Sequence, residues 1–319
     1  MKKIALEEHF TRPELAAYSQ HGASARRSSA FERFQERLLD FGEMRLEAMD
    51  IAGVDLAVLS VATPGVQAEP DAGVAIKRAR IENDFLAREI TKHPARFAGF
   101  AHLPMQDAAA AADELSRCVE QLEFKGAMIN GHTNGRYLDD RGYDPFWERV
   151  EALGVPVYLH PRDPFDAPQM FAGRRELLGA VWSWTAETAT HALRLVFGGV
   201  FDRHPKAKLI LGHMGETLPY LLWRLDSRWR VEADDEASEA ARPPSQIIRD
   251  NVLVTTAGVC SHASLQCALT ALGEDSVMFS VDYPFEDCLV AARFIETAPV
   301  SDAARAKICH GTARRLLRL

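Results

Sequence analysis

Carboxylate and imidazole side chains meet at four separate places in this 319-residue chain, each directly behind a short apolar run. Glu7-Glu8-His9 follows Ile4-Ala5-Leu6, and His160 follows Val155–Leu159. His213 and Glu216 stand in Gly212-His213-Met214-Gly215-Glu216 after Lys208–Leu211, and Asp282 follows Val277–Val281. Imidazole with carboxylate is the ligand set of a catalytic divalent metal. In an extended chain residues two apart share a face, so Glu7 and His9 point one way while Glu8 points the other. A carboxylate at Asp282, ending an apolar run, must be paired or coordinated to offset its desolvation. Glycines around His213 permit a tight strand-to-helix turn, and His213 with Glu216 suits a hydrogen-bonded acid/base pair. Blander readings stand beside these. Glu7 and Glu8 could solvate a strand tip, His160 could be a satisfied core histidine, and Asp282 could only cap a turn. Glu216 could be a helix-start charge favoured by the dipole. The convergence of four strand ends favours metal.

The elements that must carry these residues alternate along the chain. Strand-like runs are Lys3–Leu6, Leu56–Ser60, Phe97–Ala101, Gly126–Ile129, Val155–Leu159, Lys208–Leu211, Val252–Thr255 and Val277–Val281. Amphipathic stretches between them include Gly73–Lys92, Ala108–Gln121, Pro145–Leu153, Thr185–Phe201 and Glu216–Val231, and Asp302–Leu319 reads as a terminal helix. Short continuous strands suit a parallel sheet buried on both faces. Eight alternations predict an α/β fold, a single (β/α)8 barrel domain spanning residues 1–319, with its site at the C-terminal strand ends. An open doubly wound sheet is the rival, but no GxGxxG follows the first strand. Two segments interrupt the alternation. Arg12–Phe34 lacks a period, and Pro161–Leu178, with three prolines and Gly173, reads as a long loop.

Composition removes other classes. With 37 basic and 45 acidic residues the formal charge is −8, which lacks the footprint of a nucleic-acid partner. No run approaches the roughly 20 apolar residues of a membrane span, and acidic residues follow the two N-terminal lysines too soon for a signal peptide. Five cysteines without paired spacing predict inert thiols rather than disulfides or a zinc site. The expected setting is the cytoplasm. His93, His204, His21 and His310 read as solvated, and His191 as packed or exposed within a helix. His102, His132 and His262, after strands three, four and seven, are open to contacts around the site.

Taken with their neighbours, the four chemical segments resemble the decarboxylase branch of the metal-dependent amidohydrolase superfamily. The carrying runs are Ala5-Leu6-Glu7-Glu8-His9-Phe10, Leu159-His160-Pro161-Arg162, Leu211-Gly212-His213-Met214-Gly215-Glu216 and Ser280-Val281-Asp282-Tyr283-Pro284-Phe285-Glu286. The likeness is to the hydroxybenzoate decarboxylases, γ-resorcylate (2,6-dihydroxybenzoate) and 2,3-dihydroxybenzoate decarboxylases among them. It implies a distorted (β/α)8 barrel with one divalent ion, Zn²⁺ or Mn²⁺, and no organic cofactor. By the same resemblance Glu7, His9, His160 and Asp282 are the metal ligands, with His213 and Glu216 beside them. Asn130, Trp184 and Phe285 fall where the family places substrate contacts. Arg12–Phe34, where the family supplies a further pocket aromatic, matches poorly, and the loop His132–Arg136 looks shortened.

The reaction expected is non-oxidative decarboxylation of an ortho-hydroxybenzoic acid by ring protonation and CO₂ loss, reversible in bicarbonate. Asp282 is the expected acid, supported by His213 and Glu216. The competing expectation is a metal-dependent hydrolase of a lactone or related carbonyl compound, which the same ligands would serve. A metal-binding protein without catalysis is the third. The expected partners are a small aromatic acid and further copies of the chain, as a homodimer or homotetramer. The aromatic surplus of Leu218–Trp229 points the same way.

Overall fold

The structure, a computed structural model, describes residues 1–19, 29–166, 168–232 and 239–319. Among the described residues eight strands run in parallel: β1 (Ile4–Phe10), β2 (Leu56–Val61), β3 (Phe97–Gly99), β4 (Ala127–Asn130), β5 (Val157–His160), β6 (Leu209–Leu211), β7 (Val252–Thr255) and β8 (Val277–Met278). β1–β3 form one ladder and β4–β8 another. Two single bridges join them into a closed barrel. One pairs Ala101 with Ala127, and the other pairs Glu8 with Tyr283 beyond the end of β8. Such local gaps in the ladder make the (β/α)8 barrel a distorted one.

Strand parity fills the barrel. Ile4, Leu6, Val58, Phe100, Met128, Tyr158, Ile210 and Met278 pack together inside it. Their neighbours Ala5, Ala57, Leu59, Ile129, Val157, Leu159 and Leu211 face outward into the layer shared with the helices. The helices start where the sequence offers an oxygen to cap them. Asp71 accepts from Val74 N–H, Asp107 from Ala109 and Ala110, and Asp287 from Leu289 and Val290.

β1 breaks the parity to serve the site. Ile4 and Leu6 point inward, and so does Glu7 directly after Leu6. A register shift between Ala5 and Glu8 sets one more residue on β1 than on β2, a bulge that re-aims the strand. The amides of Leu6 and Glu7 are not wasted there. Both donate to Ser280 Oγ, at 3.1 and 2.6 Å. Past the bulge Glu7 and His9 face in, and Glu8 turns out. Glu8 is buried rather than solvated. It accepts from Ser280 Oγ and the amides of Val281 and Tyr283, stapling β1 to the end of β8. Arg45, also buried, completes the seam by donating to the His9 carbonyl at 2.6 Å while its guanidinium lies 4.6 Å from the Tyr283 ring.

Several expectations are corrected. Arg12–Phe34 is not irregular throughout, because Ser29–Leu39 is helical; residues 20–28 of that segment, His21 included, lie outside the described residues. Pro244–Asn251 adds a helix to those expected. The terminal helix is divided into Asp302–Ala306, a π-turn over Lys307–Gly311, and Thr312–Leu317. His204 is buried rather than solvated, lying 3.6 Å from Asp144 Oδ1. All five cysteines are free, with Cys260 exposed. Among the described residues no helix is long and apolar enough to cross a membrane.

Candidate metal centre

β1, β5 and the chain after β8 converge on one point. Glu7, His9, His160 and Asp282 each present a ligand atom, and these atoms all lie within 4.8 Å of one another. That is near the ~4 Å span which bonds of about 2.0–2.2 Å to a common ion impose. His9 Nε2 is 3.3 Å from Asp282 Oδ1, and His160 Nε2 is 3.4 Å from Glu7 Oε1. The two imidazoles meet edge to face with centroids 4.6 Å apart. Glu7 Oε1, His9 Nε2 and Asp282 Oδ1 are buried without a hydrogen-bond partner. Buried polar atoms are almost always satisfied, so this donor set fits a resident cation.

The local backbone explains how they converge. Asp282 sits at φ 81°, outside the ordinary range for a non-glycine residue, and is held there by the Glu8 staple on either side of it. His213 to Thr217 wind as a left-handed turn, with φ of 50, 56, 80, 52 and 66°. Such a run costs roughly 1–2 kcal/mol per non-glycine residue. It folds His213 back so that Nδ1 lies 2.7 Å from Glu216 Oε1 and Nε2 lies 3.4 Å from Asp282 Oδ2. Glu216 therefore does not open a helix; the helix begins at Leu218. Two glycines give the room. A Cβ at Gly212 would collide with Glu7 Oε2, and one at Gly258 would lie 2.8 Å from His213 Cδ2.

Electrostatics separates the carboxylates. Burial pushes Glu7 up to about 7, an effect that the charge of Asp282 reinforces and those of His213 and His9 oppose. Burial also acts to raise Asp282, but the hydrogen bond from His213 and the charges of His213 and His9 outweigh it and hold that carboxyl well below the usual range. His213 goes the other way. Burial lowers it, yet the charges of Glu216 and Glu7 lift it well above an ordinary imidazole. Burial and the neighbouring His9 drive His160 down, keeping it neutral as a ligand must be.

The residues expected to touch substrate surround this point. Asn130 pairs in register with His160, and its Oδ1 is buried without a partner. Its backbone is fixed by Gln67, whose Oε1 accepts the Asn130 amide at 2.6 Å and whose Nε2 donates to Thr133 Oγ1. Trp184 lies edge-on to His160 at 6.4 Å, its indole N–H donating to Asp163 Oδ1. Phe285 tilts over His9 at 5.8 Å. The Phe34 ring, from the poorly matching segment, stands 5.4 Å from Phe285 and was not singled out by the sequence. Four further histidines make contacts within the fold. His102 accepts from Val66 N–H, His191 from Leu138 N–H and His132 from Gly135 N–H, while His262 stacks on Phe294.

Residues 29–319 match the amidohydrolase family. The chain belongs to the amidohydrolase family. Among the relatives of this amidohydrolase, the gamma-resorcylate decarboxylase of Rhodococcus jostii is 43% identical over 327 residues, covering 99% of this chain and 98% of that one. A crystal structure of 2,6-dihydroxybenzoate decarboxylase in complex with 2,6-dihydroxybenzoate has a TM-score of 0.93 and 42% identity, covering 100% of both chains. The dihydroxybenzoic acid decarboxylase of Polaromonas sp., solved with manganese and the inhibitor 2-nitroresorcinol, gives 0.93 and 42% and covers 100% of this amidohydrolase and 97% of that chain.

Proposed function

We propose that this amidohydrolase is a metal-dependent carboxy-lyase that removes CO₂ from an ortho-hydroxybenzoic acid of the dihydroxybenzoate type. The observation that carries this reading is the Glu7–His9–His160–Asp282 set beneath an aromatic wall, with Glu7 Oε1, His9 Nε2 and Asp282 Oδ1 buried and without a hydrogen-bond partner, in a chain 42% identical to a decarboxylase over its full length. A divalent ion held by these four residues supplies Lewis-acid charge that favours an ortho-phenolate. Phe285 and Trp184, with Phe34 behind Phe285, confine a flat ring between them. Asn130 Oδ1 accepts from a ring hydroxyl. Asp282, ionised at rest, takes the proton of the ortho hydroxyl and gives it to the ring carbon that bears the carboxylate. The C–C bond then breaks, its electrons restore aromaticity, and CO₂ leaves. His213, fixed by Glu216, holds Asp282 in place and keeps positive charge beside it.

The hydrolase reading differs in its needs, since it wants an open approach for water and a base. The aromatic rings at the rim favour the flat acid instead. The decisive assay presents salicylate, 2,3- and 2,6-dihydroxybenzoate and 5-carboxyvanillate to manganese-loaded protein, reading absorbance and CO₂. CO₂ release from at least one supports the decarboxylase; lactone hydrolysis with no CO₂ from any of the four overturns it.

Tyr220 and Trp223 are 82% and 79% exposed on the helix Leu218–Glu232. Two large aromatics side by side in water support an assembly of two or four copies through this face. The free cysteines and the acidic surface suit a cytoplasmic enzyme.

A further inference from the structure

A line of hydroxyl groups crosses the floor of the barrel beneath the candidate metal centre. The Thr255 hydroxyl, at the end of β7, lies 2.7 Å from the Tyr158 hydroxyl inside β5. The Tyr158 hydroxyl in turn donates to Glu7 Oε2 on β1. The amide of Ala257 points at Thr255 Oγ1 from 3.4 Å, at the far end of the line. A carboxylate that binds a metal is ionised and only accepts, so with the ion in place Tyr158 spends its single proton on Glu7 and must accept from Thr255. The dipoles therefore align from β7 through β5 to β1, each strengthening the next. Tyr158, Thr255 and Glu7 are all fully buried, so water does not compete. Glu7 Oε2 is further enclosed by the bare Cα of Gly212, where a Cβ would collide with it. The other oxygen, Oε1, has no hydrogen-bond partner and faces His160, His213 and His9 at 3.4, 3.9 and 4.0 Å.

We propose that Tyr158, backed by Thr255, is a positioning residue that makes Glu7 bind the metal through one oxygen only. Its hydroxyl occupies Oε2 from below and leaves Oε1 as the sole ligand atom. A one-oxygen carboxylate keeps coordination positions open for a chelating substrate, as catalytic sites require. The hydrogen bond also orients Glu7 and withdraws charge from it, the usual work of partners behind a ligand. This rests on the proposed metal-dependent function, but it concerns metal binding and is tested without substrate.

Tyr158→Phe keeps the ring that packs beside Phe100 and removes only the hydroxyl. Metal-stripped wild-type and variant are titrated with Mn²⁺, followed by electron paramagnetic resonance of the bound ion. The expected result is a 10- to 100-fold weaker Mn²⁺ affinity in the variant. The spectrum should change in zero-field splitting, because the freed Oε2 alters the ion's coordination. Thr255→Val should move both readouts in the same direction by less, and Thr255→Ser, which retains the hydroxyl, should restore them. If Tyr158→Phe does not fold, the Thr255 pair carries the test. Variants with wild-type affinity and an identical spectrum overturn the role of Tyr158 while leaving the metal-dependent reading intact. A wild-type protein that takes up no Mn²⁺ overturns that reading itself and this inference with it.

Discussion

Glu8 and Tyr283 close the barrel, Glu8 Oε2 accepting the Tyr283 amide at 3.3 Å across the seam between the first strand and the last. The staple lies one residue from a proposed ligand on each side, His9 on β1 and Asp282 after β8. Fold closure and ligand placement are thus one event. Metal binding and stability should accordingly be coupled, with the holoprotein melting above the metal-stripped form by an amount that grows with free metal concentration.

His160→Ala removes one of the four proposed ligands and leaves Glu7 Oε1 without its nearest imidazole neighbour. Metal analysis after dialysis should fall from about one ion per chain to a small fraction. Full retention would take His160 off the ligand set.

Gly212→Ala places a methyl group against Glu7 Oε2 in a fully packed interior. Overpacking of this kind costs roughly 1–3 kcal/mol. Denaturant titration should show that loss together with weaker metal binding, because the displaced group is a proposed ligand. Wild-type values in both would mean that Glu7 is not held where the structure puts it.

Much of this site is legible in the sequence. The same-face pair Glu7 and His9, the lone His160, Asp282 after an apolar run and Gly-flanked His213 all declare themselves by type and period. What stays hidden has physical reasons. The bulge in β1 has no mark of its own, since Leu6 and Glu7 alternate normally and the shift depends on Ser280, over 270 residues away. Glu8 gives no sign of its burial, because its partners are two backbone amides and the hydroxyl of the distant Ser280. Tyr158 is submerged in an apolar strand, although its place two residues before His160 on the same face could have exposed it. Phe34 lies in a helix whose apolar stripe is diluted by small and charged residues. Glu216 looks like a helix start because nothing in its type announces five consecutive left-handed residues.

Glu187, buried in the helix Ser183–Phe197, offers a pH test away from the metal ligands. Burial pushes its carboxyl up to about 8, only partly offset by the Tyr137 hydroxyl and the charge of Arg162. The folded state therefore holds a proton that the unfolded chain releases near 4.5. Unfolding free energy should fall as pH rises from about 4.5 to about 8, at up to ~1.4 kcal/mol per unit. Glu187→Gln should flatten that slope, so its stability relative to wild-type improves from pH 6 to pH 8. A variant whose deficit is the same at both values would show that Glu187 is ionised when folded.

Trp223→Arg places a charge on the exposed face of Leu218–Glu232. Light scattering at micromolar concentration should show a dimer or tetramer for wild-type and a shift toward monomer for the variant. A monomeric wild-type would remove that face from the account.

The central claim is that Asp282 carries a proton to the ring carbon that loses CO₂. It is tested most directly by nuclear magnetic resonance of the product formed from 2,6-dihydroxybenzoate by manganese-loaded protein in D₂O. Wild-type should deliver one deuteron per CO₂ at that carbon. Asp282→Asn, compared at matched metal content, should lose turnover by several orders of magnitude, beyond the 10²–10⁴-fold of lost acid catalysis alone, and solvent exchange at the same carbon of added product should vanish with it. A metal-loaded Asp282→Asn that still places deuterium there at near wild-type rate would contradict the claim and move the proton to Glu216 through His213.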